Sequence, residues 1–417
     1  MDEYVYAGEA LETWGYKNSN KVDFKRDMWN NYTFYNRSAY ENLIHPFTNI
    51  AFFIVQKGMY NFSILYSHEI NCGEYKSSPF GNFNNLTLVN RDFLEKGKTE
   101  IGIARVINFD SNMVANCSNP DSEMLNFIEN IKDAMNENKS ISVSPEPYII
   151  EVLINNYDFH PHKVKLIKCL MNFYNVFGFN KSKKDVEKIV DDYEKMQEDI
   201  QNSFRDYLNQ LYALTYYACY IRLFYKNKGI QYKIMKLLNF ISENKLKIDN
   251  NIFYLLSLLA INDKKTTLIF SHLVQLSANE EKIIKGIDGM ALDLFHLRFI
   301  QYKIAQDFNN KENCVKLHEF ATRDEGLNNL INGNKLTRFA IIKNQINYGN
   351  SFIPHFENSV LDLLNGKNRE NALKLFNNNR DSLDLINQNT ISSKELNNLV
   401  INEKENFIKE LRKNNHK

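Results

Sequence analysis

Hydrophobic positions change their period several times along the chain, and each change predicts a different element. Ile103–Phe109 is an apolar run too short for a helix, which predicts a buried strand. Leu125, Ile128, Ile131 and Met135 then recur at helical spacing, with Asp121 and Ser122 as good caps ahead of them, which predicts an amphipathic helix over Glu123–Asn136. Ser140–Val143 reads as a short strand. Pro145 and Pro147 open a helix through Asn155, since proline is tolerated in a first turn. Much later, Val315–Phe320 reads as a strand and Asp324–Leu330 as the start of the next helix. This alternation predicts an α/β core in residues 101–344.

The intervening segment has a different rhythm. Leu166, Leu170, Phe173 and Val176 keep helical spacing, as do Val186, Ile189, Val190 and Tyr193, and the aromatic run Tyr207–Tyr225 follows. Residues 163–262 are therefore expected to be a helical insertion, with helices continuing through 266–306. Residues 345–417 are polar and mostly helical, ending in a helix at Ser393–Lys413 with a basic tail. Residues 1–100 hold short apolar runs such as Ile50–Val55, separated by turn-prone clusters such as Ser77–Asn85, and predict a β-containing accessory segment.

Composition narrows the class. At 417 residues the chain suits two or three domains, and 43% hydrophobic residues can fill a core. The net charge of +1 gives no overall basic signature for nucleic acid, although an acidic site would offset local basic patches in the sum. The five cysteines are scattered and without CxxC spacing, as expected of free thiols in a reducing cytoplasm. Met1-Asp2-Glu3-Tyr4 lacks the layout of a signal peptide, and no run approaches ~18 apolar residues, so a cytoplasmic protein without a membrane span is expected.

Four acidic residues carry the candidate chemistry. Asp110 ends the first predicted strand and opens Asp110-Ser111-Asn112. Glu151 sits in the apolar helical stretch Tyr148–Leu153. Asp293 lies in Met290–Leu297, and Asp324 follows a short apolar run in Thr322-Arg323-Asp324. If the elements that carry them converge, the carboxylates repel one another unless cations lie between them, and hard oxygen ligands of this kind select Mg²⁺ or Mn²⁺.

The order of strand, Asp-Ser-Asn, helix, strand, helix with Glu, helices, helix with Asp, strand and Thr-Arg-Asp resembles the PIN domain, a compact α/β nuclease fold. The resemblance covers roughly residues 101–335, in pieces. It implies a parallel-sheet core in which Asp110, Glu151, Asp293 and Asp324 are catalytic and bind divalent metal, and hydrolysis of a phosphodiester, in RNA rather than DNA. Two bound ions would activate water and neutralise charge on the phosphate. Ser111, Asn112 and Thr322 would orient the carboxylates. The stretches between Glu151 and Asp293 and between Asp293 and Asp324 are both longer than in a minimal PIN domain. The first asks for the helical insertion, and the second for an extended helix or loop around Gln306–Asn313. Asp288, in Gly286-Ile287-Asp288-Gly289, competes with Asp293 but reads as a helix N-cap.

Around these acids, Arg105, His296, Arg298 and Arg323 are the candidate substrate-binding groups, with His296 on the same helical face as Asp293. Lys181, Lys183, Lys184 and Lys188 form a basic patch in the insertion. The tyrosines of 207–225 offer stacking surfaces for bases, although at helical spacing they read first as core. His160-Pro161-His162 reads as a surface loop. No GxxxxGK[ST] or Gly-x-Ser-x-Gly occurs, which leaves ATP hydrolysis and serine-hydrolase chemistry unsupported. The expectation is an endoribonuclease whose added segments gate it through a protein partner or self-association, as stress response or anti-phage defence would require. The alternative is a non-catalytic helical scaffold or RNA-binding module whose acids are structural.

Overall fold

A computed structural model of the chain describes residues 70–79, 102–155, 159–196, 198–246, 279–307, 314–333, 363–379 and 391–415. It also places strands at 4–5, 35–36, 50–55, 86–89, 336–343 and 350–356, and helical residues at 255, 256 and 259. In chain order the strands are β1 (Tyr4–Val5), β2 (Tyr35–Asn36), β3 (Ile50–Val55), β4 (Asn71–Cys72), β5 (Tyr75–Pro79), β6 (Leu86–Val89), β7 (Gly102–Phe109), β8 (Ile141–Ser144), β9 (Cys314–Thr322), β10 (Leu336–Lys343) and β11 (Asn350–Phe356). The helices are α1 (Ser111–Asn116), α2 (Ser122–Glu137), α3 (Glu146–Asn155), α4 (His160–Val176), α5 (Lys183–Glu194), α6 (Glu198–Phe224), α7 (Ile230–Glu243), α8 (Glu280–Asp307), α9 (Glu325–Gly333), α10 (Gly366–Asn379) and α11 (Ser393–Asn415).

The fold is mixed α/β. A five-stranded sheet has the order β4-β5-β9-β7-β8; β9, β7 and β8 are parallel, and β5 runs antiparallel to β9. A second, antiparallel sheet has the order β11-β10-β3-β6, and β1 pairs with β2. Arg105 to Phe109 are all buried, as an inner parallel strand with helices on both faces requires.

Strand alternation sorts the side chains of β7 and β9 onto two faces. Phe109 packs edge-on against Phe127 of α2 and Phe173 and Phe177 of α4. The opposite face carries Asn108 and Asp110 from β7 with His318, Phe320 and Thr322 from β9, and α8 lies over it, with His296 against the Phe320 ring. The 28-residue α8 runs from Glu280 to Asp307, so the stretch between Asp293 and Asp324 begins with the second half of this helix and ends with β9. Residues 308–313 of the predicted loop lie outside the described residues.

Several sequence expectations are corrected. In α2 the buried stripe is Met124, Phe127, Ile128, Ile131 and Ala134, and Leu125 is 45% exposed. The apolar positions allow two overlapping stripes, and packing under β4, β5 and β8 selects the one that buries Phe127. Asp288 is no N-cap, because α8 begins about two turns earlier and runs straight through Gly286 and Gly289. Tyr75–Pro79, within the expected accessory segment, joins the core as a strand of its sheet: Ser77 Oγ donates to Glu319 at 2.7 Å, and buried Ser78 Oγ to Asn328 at 2.7 Å. The β4–β5 turn places Gly73 at φ +56, which favours glycine, and a Cβ there would push aside the Glu123 carboxylate 2.2 Å away. The C-terminal helix is likewise packed on the core. In α11, Phe407 meets Tyr216, Asn397 bonds Asn209 at 2.7 Å, and Arg412 grips Glu280 through two 2.7 Å contacts.

The aromatic run 207–225 is core: Tyr216 is 1% exposed, and Tyr217 stacks on Phe240 with ring centres 3.9 Å apart. His160 and His162 are exposed, in the first turn of α4 rather than in a loop. Among the described cysteines, Cys72, Cys117, Cys169 and Cys219 are free thiols. No helix among the described residues is long and apolar enough to cross a membrane.

Candidate functional site

The site forms where β7 and β9 end side by side. Their parallel register pairs Phe109 with Ala321, and the Asp110 N–H donates to the Ala321 carbonyl at 3.0 Å. Each chain then turns into a helix whose first turn is capped by the next acid. The Asp110 carboxylate accepts from the Met113 N–H at 2.7 Å, and the Asp324 carboxylate from the Leu327 N–H at 2.8 Å. Thr322 ties the two ends together, its hydroxyl donating to Asp110 Oδ2 while it accepts from the Asp324 N–H at 3.0 Å.

Helices bring the other two acids. In α3, Glu151 Oε2 accepts a hydrogen bond from the Ser111 hydroxyl and lies 3.2 Å from His296 Nε2 of α8. Asp293 stands three residues before His296 on α8. Asp293 is half-buried. Its pKa is pushed up to about 8, first by desolvation and then by the negative charges of Asp324, Asp110 and Glu151, with His296 opposing. All four acids named from the sequence therefore lie within electrostatic reach of one another.

Their protonation differs with their surroundings. Burial pushes the Asp110 carboxyl up, against the Thr322 and Met113 hydrogen bonds that favour its ionised form. Burial also opposes ionisation of Glu151, yet contact with His296 and Ser111 holds it below the usual carboxylate range. His296 is 3% exposed, and desolvation disfavours its charge, but Glu151, Asp293 and Asp110 together raise its pKa. Its ring lies among the carboxylates of an acidic pocket.

Of the remaining candidates, Arg105 is corrected. It is 3% exposed and paired at 2.8 Å with fully buried Glu319 on the opposite sheet face, so its guanidinium cannot meet a phosphate there. Arg323 is 52% exposed, held by Glu74 at 2.6 Å and resting over the Tyr75 ring. Arg298 is half-buried on α8, and Asn112 stands exposed on α1, so the orienting contacts are those of Ser111 and Thr322. Asp288 accepts from the Tyr216 hydroxyl at 2.7 Å and pairs with Lys404 at 3.2 Å, a structural role away from the cluster. Lys183, Lys184 and Lys188 are exposed on α5, where Lys183 faces Glu187 at 3.5 Å, and Lys181 sits over the Tyr174 ring.

Sequence reading missed the layer beneath the acids. Asn108 Nδ2 bonds His318 Nδ1 at 3.1 Å, and His318 Nε2 meets Asp307 at 3.1 Å, near the C-terminal end of α8. Burial opposes ionisation of Asp307, but His318 and Lys303 hold its pKa down at about 2. The signal was Asn108 itself, a polar residue inside an apolar strand, which must find partners when buried.

The donor set is carboxylate oxygen, which suits a hard divalent ion, and each acid keeps lone pairs beyond its present hydrogen bonds. Among the described residues, no three His, Cys, Asp or Glu side chains already form a metal-binding group. An ion would therefore take one or two protein ligands together with water, which is how Mg²⁺ is commonly held. Comparison of the chain with protein-family models, curated proteins and solved structures finds no match.

Proposed function

We propose that this chain is a Mg²⁺- or Mn²⁺-dependent nuclease with a PIN-like core, acting on RNA. One observation carries the reading: four carboxylates from four separate elements are gathered at the carboxyl ends of parallel strands, against their mutual repulsion. Open α/β sheets place ligand sites at such ends. Gathering like charges there is costly for stability unless a cation is bound.

Asp110, Glu151, Asp293 and Asp324 would hold the ions, which when bound supply an activated water and offset charge on the phosphate. The chain's own residues do the rest. Thr322 fixes the Asp110 carboxylate on its rigid strand end, and Ser111 fixes Glu151. Arg323, exposed and next to Asp324 in the chain, would meet a phosphate on leaving Glu74. Cleavage of mixed single-stranded RNA and DNA with Mn²⁺, Mg²⁺ or EDTA, by wild type beside Asp110→Asn, tests the proposal. The expected result is metal-dependent cutting that the variant lacks, and equal cutting by both proteins would refute it.

A second reading has its own support. Asp110 and Asp324 are helix caps and Glu151 faces a histidine, which are the contacts of a structural scaffold. A scaffold would show no thermal stabilisation by Mn²⁺, whereas a ligand held at 100 times its Kd stabilises by about 2.7 kcal/mol.

A further inference from the structure

His296 is the one buried side chain in the acidic cluster without an aligned hydrogen bond. It is 3% exposed, and neither ring nitrogen has a hydrogen-bond partner among the described residues. Glu151 Oε2 nevertheless lies only 3.2 Å from its Nε2. At that separation a hydrogen bond would point N–H at oxygen. Here the ring nitrogen and the carboxylate oxygen lie close without that alignment.

We propose that His296 is a metal ligand, sharing one divalent ion with Glu151, and that it biases the site toward Mn²⁺ or another ion that accepts imidazole over Mg²⁺. Two neighbouring ligands of an octahedral ion with bonds of about 2.1 Å stand about 3.0 Å apart, close to the separation here. A buried polar group without a partner costs about 1–3 kcal/mol, which coordination offsets. Carboxylates alone suit Mg²⁺ as well as Mn²⁺, whereas an imidazole nitrogen belongs with the softer transition ions.

The inference rests on the metal-dependent reading above, and its test separates the two. The full chain is loaded with Mn²⁺ and examined by pulsed EPR for a directly bonded nitrogen, and Mn²⁺ and Mg²⁺ affinities are measured by calorimetry for wild type and His296→Gln. The expected result is a nitrogen coupling in wild type that is lost in the variant, with Mn²⁺ affinity down about tenfold or more and Mg²⁺ affinity changed less. Bound Mn²⁺ without nitrogen coupling, or coupling that survives in the variant, overturns the role of His296 and leaves the carboxylate site standing. No Mn²⁺ binding by wild type overturns both. If the variant fails to fold by circular dichroism, the wild-type spectrum decides.

Discussion

Replacing Asp293 by Asn tests whether burial, together with the neighbouring acids, disfavours a charge there in the folded chain. The Asp293 pKa is about 8 when folded against an ordinary 3.8, so the folded state favours the protonated form. The stability this confers is fully present below about pH 4 and is lost as pH rises through 8. Between pH 6 and pH 8 the unfolded carboxyl is ionised and the folded one is not, so each unit costs about 1.4 kcal/mol. Above 8 both are ionised and the loss levels off. Wild type should therefore lose about 3 kcal/mol relative to Asp293→Asn between pH 6 and pH 9. The constant cost of placing an amide there cancels in that difference. Urea unfolding of both proteins at the two pH values, in EDTA, measures it. Repeating the melts with Mn²⁺ should stabilise wild type at pH 9 and stabilise the variant less. A variant destabilised equally at both pH values would mean that Asp293 is an ordinary structural partner, and would refute the argument that the folded site disfavours its charge.

Other substitutions separate the site from its scaffold. Thr322→Val removes the hydroxyl that bridges Asp110 and the Asp324 N–H, and should cost about 1–3 kcal/mol in urea melts, with Thr322→Ser recovering most of it. Asp288→Asn should destabilise by about 1 kcal/mol by weakening the Tyr216 and Lys404 contacts, while metal binding by calorimetry stays unchanged. Arg105→Met should cost about 3–5 kcal/mol by stranding Glu319 in the core, and adding Glu319→Leu should restore much of that loss. Phe127→Ala should cost about 3–5 kcal/mol, whereas Leu125→Ala should stay within about 0.5 kcal/mol in the same melts.

Local chemistry in the sequence determined where the elements of the core lie. The strand at 102–109, the helix capped by Asp121, the proline-led helix to Asn155 and the strand into Thr322 are set by short-range periodicity and capping, which a few neighbouring residues decide. It also marked Asp110 and Asp324, because an acid just after an apolar strand is conspicuous. Tertiary structure decided what depends on residues far apart. Only the parallel pairing of β7 with β9 puts Asp110 beside Thr322. Only strand parity sends Asp110 toward α8 and Arg105 to the other face, where Glu319, over 200 positions away, makes it an internal ion pair. Likewise, the choice of Met124 over Leu125 as the buried edge of α2, the joining of 75–79 to the sheet and the meeting of His296 with Glu151 are outcomes of long-range packing. A side chain's charge and shape are written in the sequence, but the partner that gives them a use is fixed only when distant segments are brought into contact.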